Sequence, residues 1–104
     1  MVKKTVVWTE TAVRQRRSIL KYWTKRNGST TYAERLIKIT KDRIKVILLN
    51  PESSRESEYP GTRVAAMGHF SIFYKITETQ MIITAFWDNR QDPEKLLKSL
   101  EEKD

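Results

Sequence analysis

His69 is the one side chain in this 104-residue sequence whose ordinary pKa lies near neutrality, so it is the first candidate for proton transfer. It follows Gly68 in a predicted turn, and an ordinary turn histidine is the simpler interpretation. The sequence contains no cysteine, which excludes disulfides, thiolate zinc sites and thiol nucleophiles. A single histidine cannot form a histidine-based metal cluster. We therefore expect neither a metal nor a cofactor.

His69 lies among predicted strands. Three short apolar and β-branched segments, at residues 62–67, 70–77 and 80–87, follow one another with two-residue turns between them. Connections this short require antiparallel neighbours. The preceding residues, 51–61, are polar and contain two prolines, so they are predicted to form a loop.

The first half begins with a short strand predicted at residues 2–8. Thr9 can cap a helix that runs to about Arg26, and Asn27-Gly28 supplies the stop. No apolar run approaches the roughly 18 residues of a membrane span, and the apolar run at the N-terminus is too short for a signal peptide. We therefore expect a cytoplasmic protein.

A second helix is predicted from Thr31, which fits a capping box with Glu34, to a stop at Pro51. A last helix is predicted with Asp92 as its N-cap, followed by Pro93. Its inward-facing residues would be Leu96, Leu97 and Leu100. The element order is β-α-α-β-β-β-α. The predicted class is α+β, in a single domain that spans residues 1–104.

The formal charge of +7 is distributed unevenly. Residues 1–50 contain 13 Lys and Arg against 3 Asp and Glu, whereas residues 51–104 contain 7 against 10. Such asymmetry favours a polyanion or an acidic protein as partner. The solvated faces of two helices would explain the same excess, and charge alone does not separate the two interpretations.

Three segments in this order resemble the RelE/ParE superfamily of toxins from bacterial type II toxin–antitoxin modules. They are VVWTETAVRQRRSILKYWTKRNGS, RVAAMGHFSIFYKIT and AFWDNRQDPEKL. The likeness covers residues 2–98 approximately. It implies a curved antiparallel sheet with the helical hairpin packed on one face, and a basic toxin neutralised by a cognate antitoxin. One branch of the superfamily cleaves messenger RNA on the ribosome, and the ParE-like branch inhibits DNA gyrase without being a nuclease.

Cleavage of RNA without a metal needs cations and a proton-transfer group around one phosphate. If the chain were a nuclease, Arg63, His69 and Arg90 would be its catalytic residues, because the resemblance places Arg63 at the start of a strand and Arg90 in the turn after the last one. Each has a plainer interpretation: Arg63 as a solvent-facing strand residue and Arg90 as a structural bridge to Asp88 or Asp92. Further along the same strands, Tyr74 is predicted to be a core residue and Lys75 an exposed one.

Ser71 departs from the nuclease pattern. Nuclease members commonly carry an arginine at the matching position, and a hydroxyl cannot replace a guanidinium that faces a phosphate. The loop before the second strand is acidic where nucleases carry lysines. Both departures favour a ParE-like toxin over a ribosome-dependent messenger RNA nuclease.

The antitoxins of this superfamily are in part acidic and in part apolar, so the basic hairpin is the expected docking surface. The residues expected to contact the antitoxin are Arg14, Arg16, Arg17, Lys21, Tyr22 and Arg35. Trp23 is a further possible anchor, although packing in the core is the favoured interpretation.

Two other classes of function stay open. A nucleic-acid-binding module is the main rival, but the predicted last helix starts with Asp92-Pro93-Glu94, which would repel phosphate. The helices are also longer than those of a helix-turn-helix motif. The other alternative is an inactive copy that only binds an antitoxin.

Overall fold

The computed structural model describes residues 4–91. Its elements are, in chain order, β1 (Thr5–Trp8), α1 (Glu10–Asn27), α2 (Thr31–Leu49), β2 (Arg55–Glu56), β3 (Arg63–Met67), β4 (Phe70–Ile76) and β5 (Gln80–Asp88). The helix predicted from Asp92, with Leu96, Leu97 and Leu100, lies outside the described residues. Two helices packed on a sheet confirm the predicted α+β class.

The five strands form one sheet in the order β1-β5-β4-β3-β2. Strands β3, β4 and β5 are antiparallel neighbours, as their short turns require. Strand β1 instead runs parallel to β5, from Thr5 beside Gln80 to Trp8 beside Ile83. The sheet is therefore mixed rather than wholly antiparallel. The chain between β1 and β5 contains both helices and the strands β2, β3 and β4, so it is long enough for the crossover that parallel pairing needs. A local sequence pattern does not encode that direction.

The predicted loop at residues 51–61 contains a two-residue strand. Arg55 and Glu56 pair with Val64 and Arg63 at the start of β3. The prediction of an uninterrupted loop is wrong here, because so short and polar a strand shows no apolar alternation.

The two helices begin differently. At α1, Thr9 is extended and its hydroxyl accepts a hydrogen bond from the N–H of Ala12 at 3.2 Å, which confirms the predicted cap. At α2, Thr30 occupies the cap position in a helical conformation and makes no side-chain cap bond, so the capping box predicted for Thr31 and Glu34 is wrong. Across residues 4–91, neither helix is long and apolar enough to cross a membrane.

The main core lies between the helical hairpin and one face of the sheet. Its largest fully buried side chains include Tyr74, Phe86 and Ile72 from the strands and Ile47 from α2. Tyr74 confirms its predicted core position, and its hydroxyl donates to the carbonyl oxygen of Pro51 at 2.8 Å. A buried tyrosine hydroxyl needs such a partner, and this bond also ties the end of the hairpin to the sheet.

A smaller apolar cluster lies on the opposite face of the sheet. Val64, Phe73, Ala85 and Trp87 are buried there, and Tyr59 packs against them. The rings of Tyr59 and Phe73 meet edge to face with centroids 5.9 Å apart. Both faces of the central strands are therefore apolar, which explains why these strands consist of nearly continuous apolar residues.

A bulge in β5 decides which residues face the helices. Phe73 pairs with Ala85 but Tyr74 pairs with Ile83, so Thr84 is an extra residue. Ile83 and Phe86 consequently both join the core under the helices, although strict alternation would separate them. The backbone N–H of Phe86 donates a hydrogen bond to the side-chain oxygen of Gln15 on α1, at 2.9 Å.

Candidate functional site

Arg63 is held by the loop at one end of the sheet. Its Nη1 donates to the carbonyl oxygens of Ser54 at 2.7 Å and Glu52 at 3.2 Å. It lies four residues from Met67 along β3, which corresponds to about 13 Å of strand. Its guanidinium therefore supports the loop and lies far from the β3–β4 turn.

His69 and Arg90 lie at the other end of the sheet. His69 is an exposed residue of the two-residue turn between β3 and β4. Its carbonyl oxygen accepts a hydrogen bond at 2.8 Å from the N–H of Asn89, the neighbour of Arg90. The structure therefore brings together two of the three predicted catalytic residues and leaves Arg63 apart from them.

Asp88 holds Arg90 in place. The Nε and Nη2 of Arg90 donate to the two oxygens of Asp88, each at 2.8 Å, and the backbone N–H of Arg90 donates to the same carboxylate at 3.0 Å. Burial alone would raise the pKa of Asp88. The hydrogen bonds from Arg90, its charge and that of His69 outweigh this effect and lower the pKa below its ordinary value. The ion pair keeps the carboxylate charged and engages one edge of the guanidinium.

Arg90 also packs against aromatic rings. Its guanidinium carbon lies 4.8 Å from the centroid of the Trp23 ring and 5.7 Å from that of Phe70. Trp23 in turn meets Tyr22 and Tyr32 edge on, with ring centroids 5.1 and 5.2 Å away. Arg90 thus joins the end of β5 to α1, and Trp23 continues this contact to Tyr32 of α2. This packing matches the structural interpretation better than a guanidinium free to meet a phosphate.

Ser71 occupies the position where the resemblance leads one to look for an arginine. Its side chain is buried, and its hydroxyl donates to the side-chain oxygen of Asn89 at 2.9 Å. This neutral bond fastens the start of β4 to the residue after β5. It supplies no positive charge at the end of the sheet where His69 and Arg90 lie.

The basic residues of α1 surround an apolar strip on its outer side. A cavity of about 590 Å³ there is bordered by the half-buried side chains of Val13 and Leu20. The basic residues around it are Arg16, Arg17, Lys21 and Lys25. Arg16, Arg17 and Lys21 are among the predicted antitoxin contacts, and Lys25, four residues after Lys21, lies on the same side of the helix.

The other predicted contact residues lie elsewhere. Arg14 pairs with Glu10 at 3.3 Å, an exposed bridge within α1. Arg35 is exposed on α2, and Tyr22 belongs to the aromatic group around Trp23. Arg26 was not singled out in the sequence, yet its guanidinium carbon lies 5.9 Å from the centroid of the Trp23 ring. Its spacing of three residues from Trp23 on one helix was the available signal.

Comparisons with known proteins agree with this architecture. The family model described as the ParE toxin of the type II toxin–antitoxin system parDE matches residues 6–93. A search of curated protein sequences finds no match.

Two solved structures share the fold. A chain of the chromosomal ParDE system from P. aeruginosa is 19% identical, with a TM-score of 0.69 and coverage of 81% of this chain and 94% of that one. A chain of the E. coli DinJ–YafQ toxin–antitoxin complex is 8% identical, with a TM-score of 0.54 and coverage of 86% and 96%. At these identities they establish the fold alone, and the family match extends over most of the sequence. The chain therefore belongs to the ParE family of toxins from type II toxin–antitoxin systems.

Proposed function

We propose that this toxin acts in the cytoplasm on DNA gyrase and does not cleave RNA. The observation that carries the proposal is that both arginines a nuclease would need are already hydrogen-bonded within the protein. Arg63 bonds two loop carbonyls, and Arg90 bonds Asp88 through its Nε and Nη2. Ser71, which stands where nuclease members carry an arginine, adds no cation at the end of the sheet that holds His69 and Arg90.

The position of His69, the candidate proton-transfer residue, also supports the absence of RNA cleavage. Cleavage of RNA without a metal needs a cation beside the proton-transfer group, within reach of the same phosphate. Arg63 lies about four strand residues away from the turn that holds His69. Arg90, which does lie near His69, is bonded to Asp88 through its Nε and Nη2, so neither arginine supports a paired role for this exposed turn histidine.

Induction of the toxin without its antitoxin tests the proposal in cells. We expect growth arrest, with double-strand DNA breaks appearing first and messenger RNA remaining intact. Cuts in ribosome-bound messages that precede any DNA damage would contradict the proposal and favour the nuclease branch. Growth that continues normally would contradict the toxic activity of this copy.

We also propose that the antitoxin binds the basic outer side of α1. Val13 and Leu20 offer an apolar strip, and the flanking Arg17 and Lys21 are exposed, so an acidic amphipathic segment fits this surface. Arg35 on α2 is also exposed, and we include it in the proposed contact.

Charge reversal tests this contact. The double variant Arg17→Glu and Lys21→Glu is expected to weaken the antitoxin complex by about a hundredfold in Kd, because attraction becomes repulsion at two positions. The matched control, Lys38→Glu with Lys45→Glu on exposed positions of α2, should change Kd by less than about fivefold. Equal effects of the two double variants, measured by titration calorimetry, would refute the proposed location.

A further inference from the structure

Most of the exposed apolar side chains lie on α2. Among residues 4–91, four of the five large apolar side chains that are exposed belong to this helix. Ile39, Val46 and Leu49 expose 44, 53 and 86% of their surfaces. They are spaced by seven and three residues, so they follow one side of the helix, outside the buried row that packs on the sheet. We refer to these three residues as the α2 stripe.

The α2 stripe has the character of an interaction surface. Contact of apolar side chains with water is unfavourable, and a row of them on one helix marks a place where a partner packs. Ile37 is about as exposed, at 42%, but two residues along a helix turn by about 200°, so it lies away from the stripe. The stripe therefore needs a partner that offers apolar side chains at a matching spacing.

A reversed copy of α2 meets this requirement. When two α2 helices pack antiparallel with Ile39 beside Leu49 of the second copy, a two-fold axis repeats the contact at the other end. Asp42 then lies level with Val46 of the second copy, because each is three residues inside an end of the paired segment. The next residue, Lys45 of the second copy, comes beside Asp42, and both are exposed. Apolar pairs thus form the two ends of the contact, and two ion pairs form its middle.

We propose that the α2 stripe is a self-association surface, through which two copies of this chain pair with their α2 helices antiparallel. The paired segment runs from Ile39 to Leu49, which is about 15 Å of helix. So small a contact predicts a weak and reversible dimer. The paired residues all belong to α2, so the proposal does not depend on the contact proposed for α1 or on the target of the toxin.

Sedimentation equilibrium of the purified toxin, without antitoxin, tests the apolar part of the contact. At about 0.3 M salt, which screens the general repulsion between two basic chains, we expect a monomer–dimer equilibrium with Kd below about 0.1 mM. Ile39→Ala should raise this Kd by about tenfold, because each substitution occurs twice in the dimer. Ile37→Ala is the matched control. It removes the same atoms from a similarly exposed position on the same helix and should raise Kd by less than about twofold.

An exchange of charges tests the register. Asp42→Lys and Lys45→Asp should each raise Kd by about tenfold, since each places like charges side by side at two points of the contact. The variant that carries both substitutions restores opposite charges and should return to within about threefold of the unchanged protein.

Four results would overturn the inference. They are a toxin that stays monomeric up to about 1 mM, equal effects of Ile37→Ala and Ile39→Ala, and a double charge variant no better than the single ones. The fourth is a toxin whose Ile39→Ala variant loses affinity for the antitoxin while the unchanged protein remains a monomer, which would assign the stripe to that partner.

Discussion

At the scale of single residues, Arg90 shows how far a sequence can be interpreted. Its spacing from Asp88 already indicates a bridge, because residues two apart across a tight turn can meet. Its packing on Trp23 joins positions 67 residues apart in the chain, and no local pattern carries that information. The hydrogen bond from Ser71 to Asn89 cannot be predicted from the sequence either, because it depends on which strand lies beside β4.

The lowered pKa of Asp88 predicts a pH-dependent contribution to stability. The folded state holds the carboxylate charged more firmly than the unfolded state, so the contribution is complete above about pH 5 and is lost as pH falls through the folded pKa. Asp88→Asn should therefore lower the free energy of unfolding by about 1–2 kcal/mol at neutral pH, with a difference that shrinks in acid. Urea unfolding at several pH values measures it, with the exposed Glu56→Gln as control. A difference that stays constant down to pH 3 would contradict the assignment.

Gln15 offers a second prediction at this scale. Its side-chain oxygen accepts the N–H of Phe86 just after the bulge. Gln15→Leu should cost about 1–3 kcal/mol of unfolding free energy, because it leaves a backbone donor without its partner. Gln15→Glu keeps the acceptor and should lose less. If the two variants were equally stable by chemical denaturation, the hydrogen bond would have no measurable role.

At the scale of elements, the sequence predicts those whose signals are local. Helix α1 has a Thr9 cap and ends before Gly28, whose φ of 68° suits glycine, and the structure contains both features. The bulge at Thr84 is different, because every residue around it is a good strand former and nothing marks the extra one. Without that bulge, the residues after Thr84 would exchange faces and Asp88 would point away from the helices.

The two helix starts give a paired prediction. Thr9→Ala removes the hydroxyl that caps α1 and should lower the unfolding free energy by about 1 kcal/mol. Thr30→Ala changes the corresponding residue of α2, which makes no side-chain cap bond, so its effect should stay below about 0.5 kcal/mol. Thermal unfolding of the two variants and of the unchanged protein measures the two losses of unfolding free energy. A larger loss from Thr30→Ala would mean that the caps are assigned to the wrong helix.

At the scale of the whole molecule, the excess of positive charge lies mostly on the helical hairpin, which covers one face of the sheet. The sequence predicts this correctly because charge counts and helix periodicity are local properties. The parallel pairing of β1 with β5 needs knowledge of the crossover, which the sequence does not provide. How the strands pair is likewise not readable from the sequence, which is why Arg63, His69 and Arg90 are all candidates there. In the structure, the pairing of β3 with β4 places Arg63 at the opposite end of the sheet from the other two.

We propose that this ParE-family toxin acts on gyrase and cuts no RNA. A supercoiling assay with purified gyrase and relaxed plasmid tests it most directly, run beside a translation reaction that contains the same toxin. We predict that supercoiling is lost and linear DNA accumulates, that addition of the antitoxin reverses the inhibition, and that the messenger RNA stays whole. Messenger RNA cut on the ribosome while gyrase continues to supercoil its plasmid would contradict the claim.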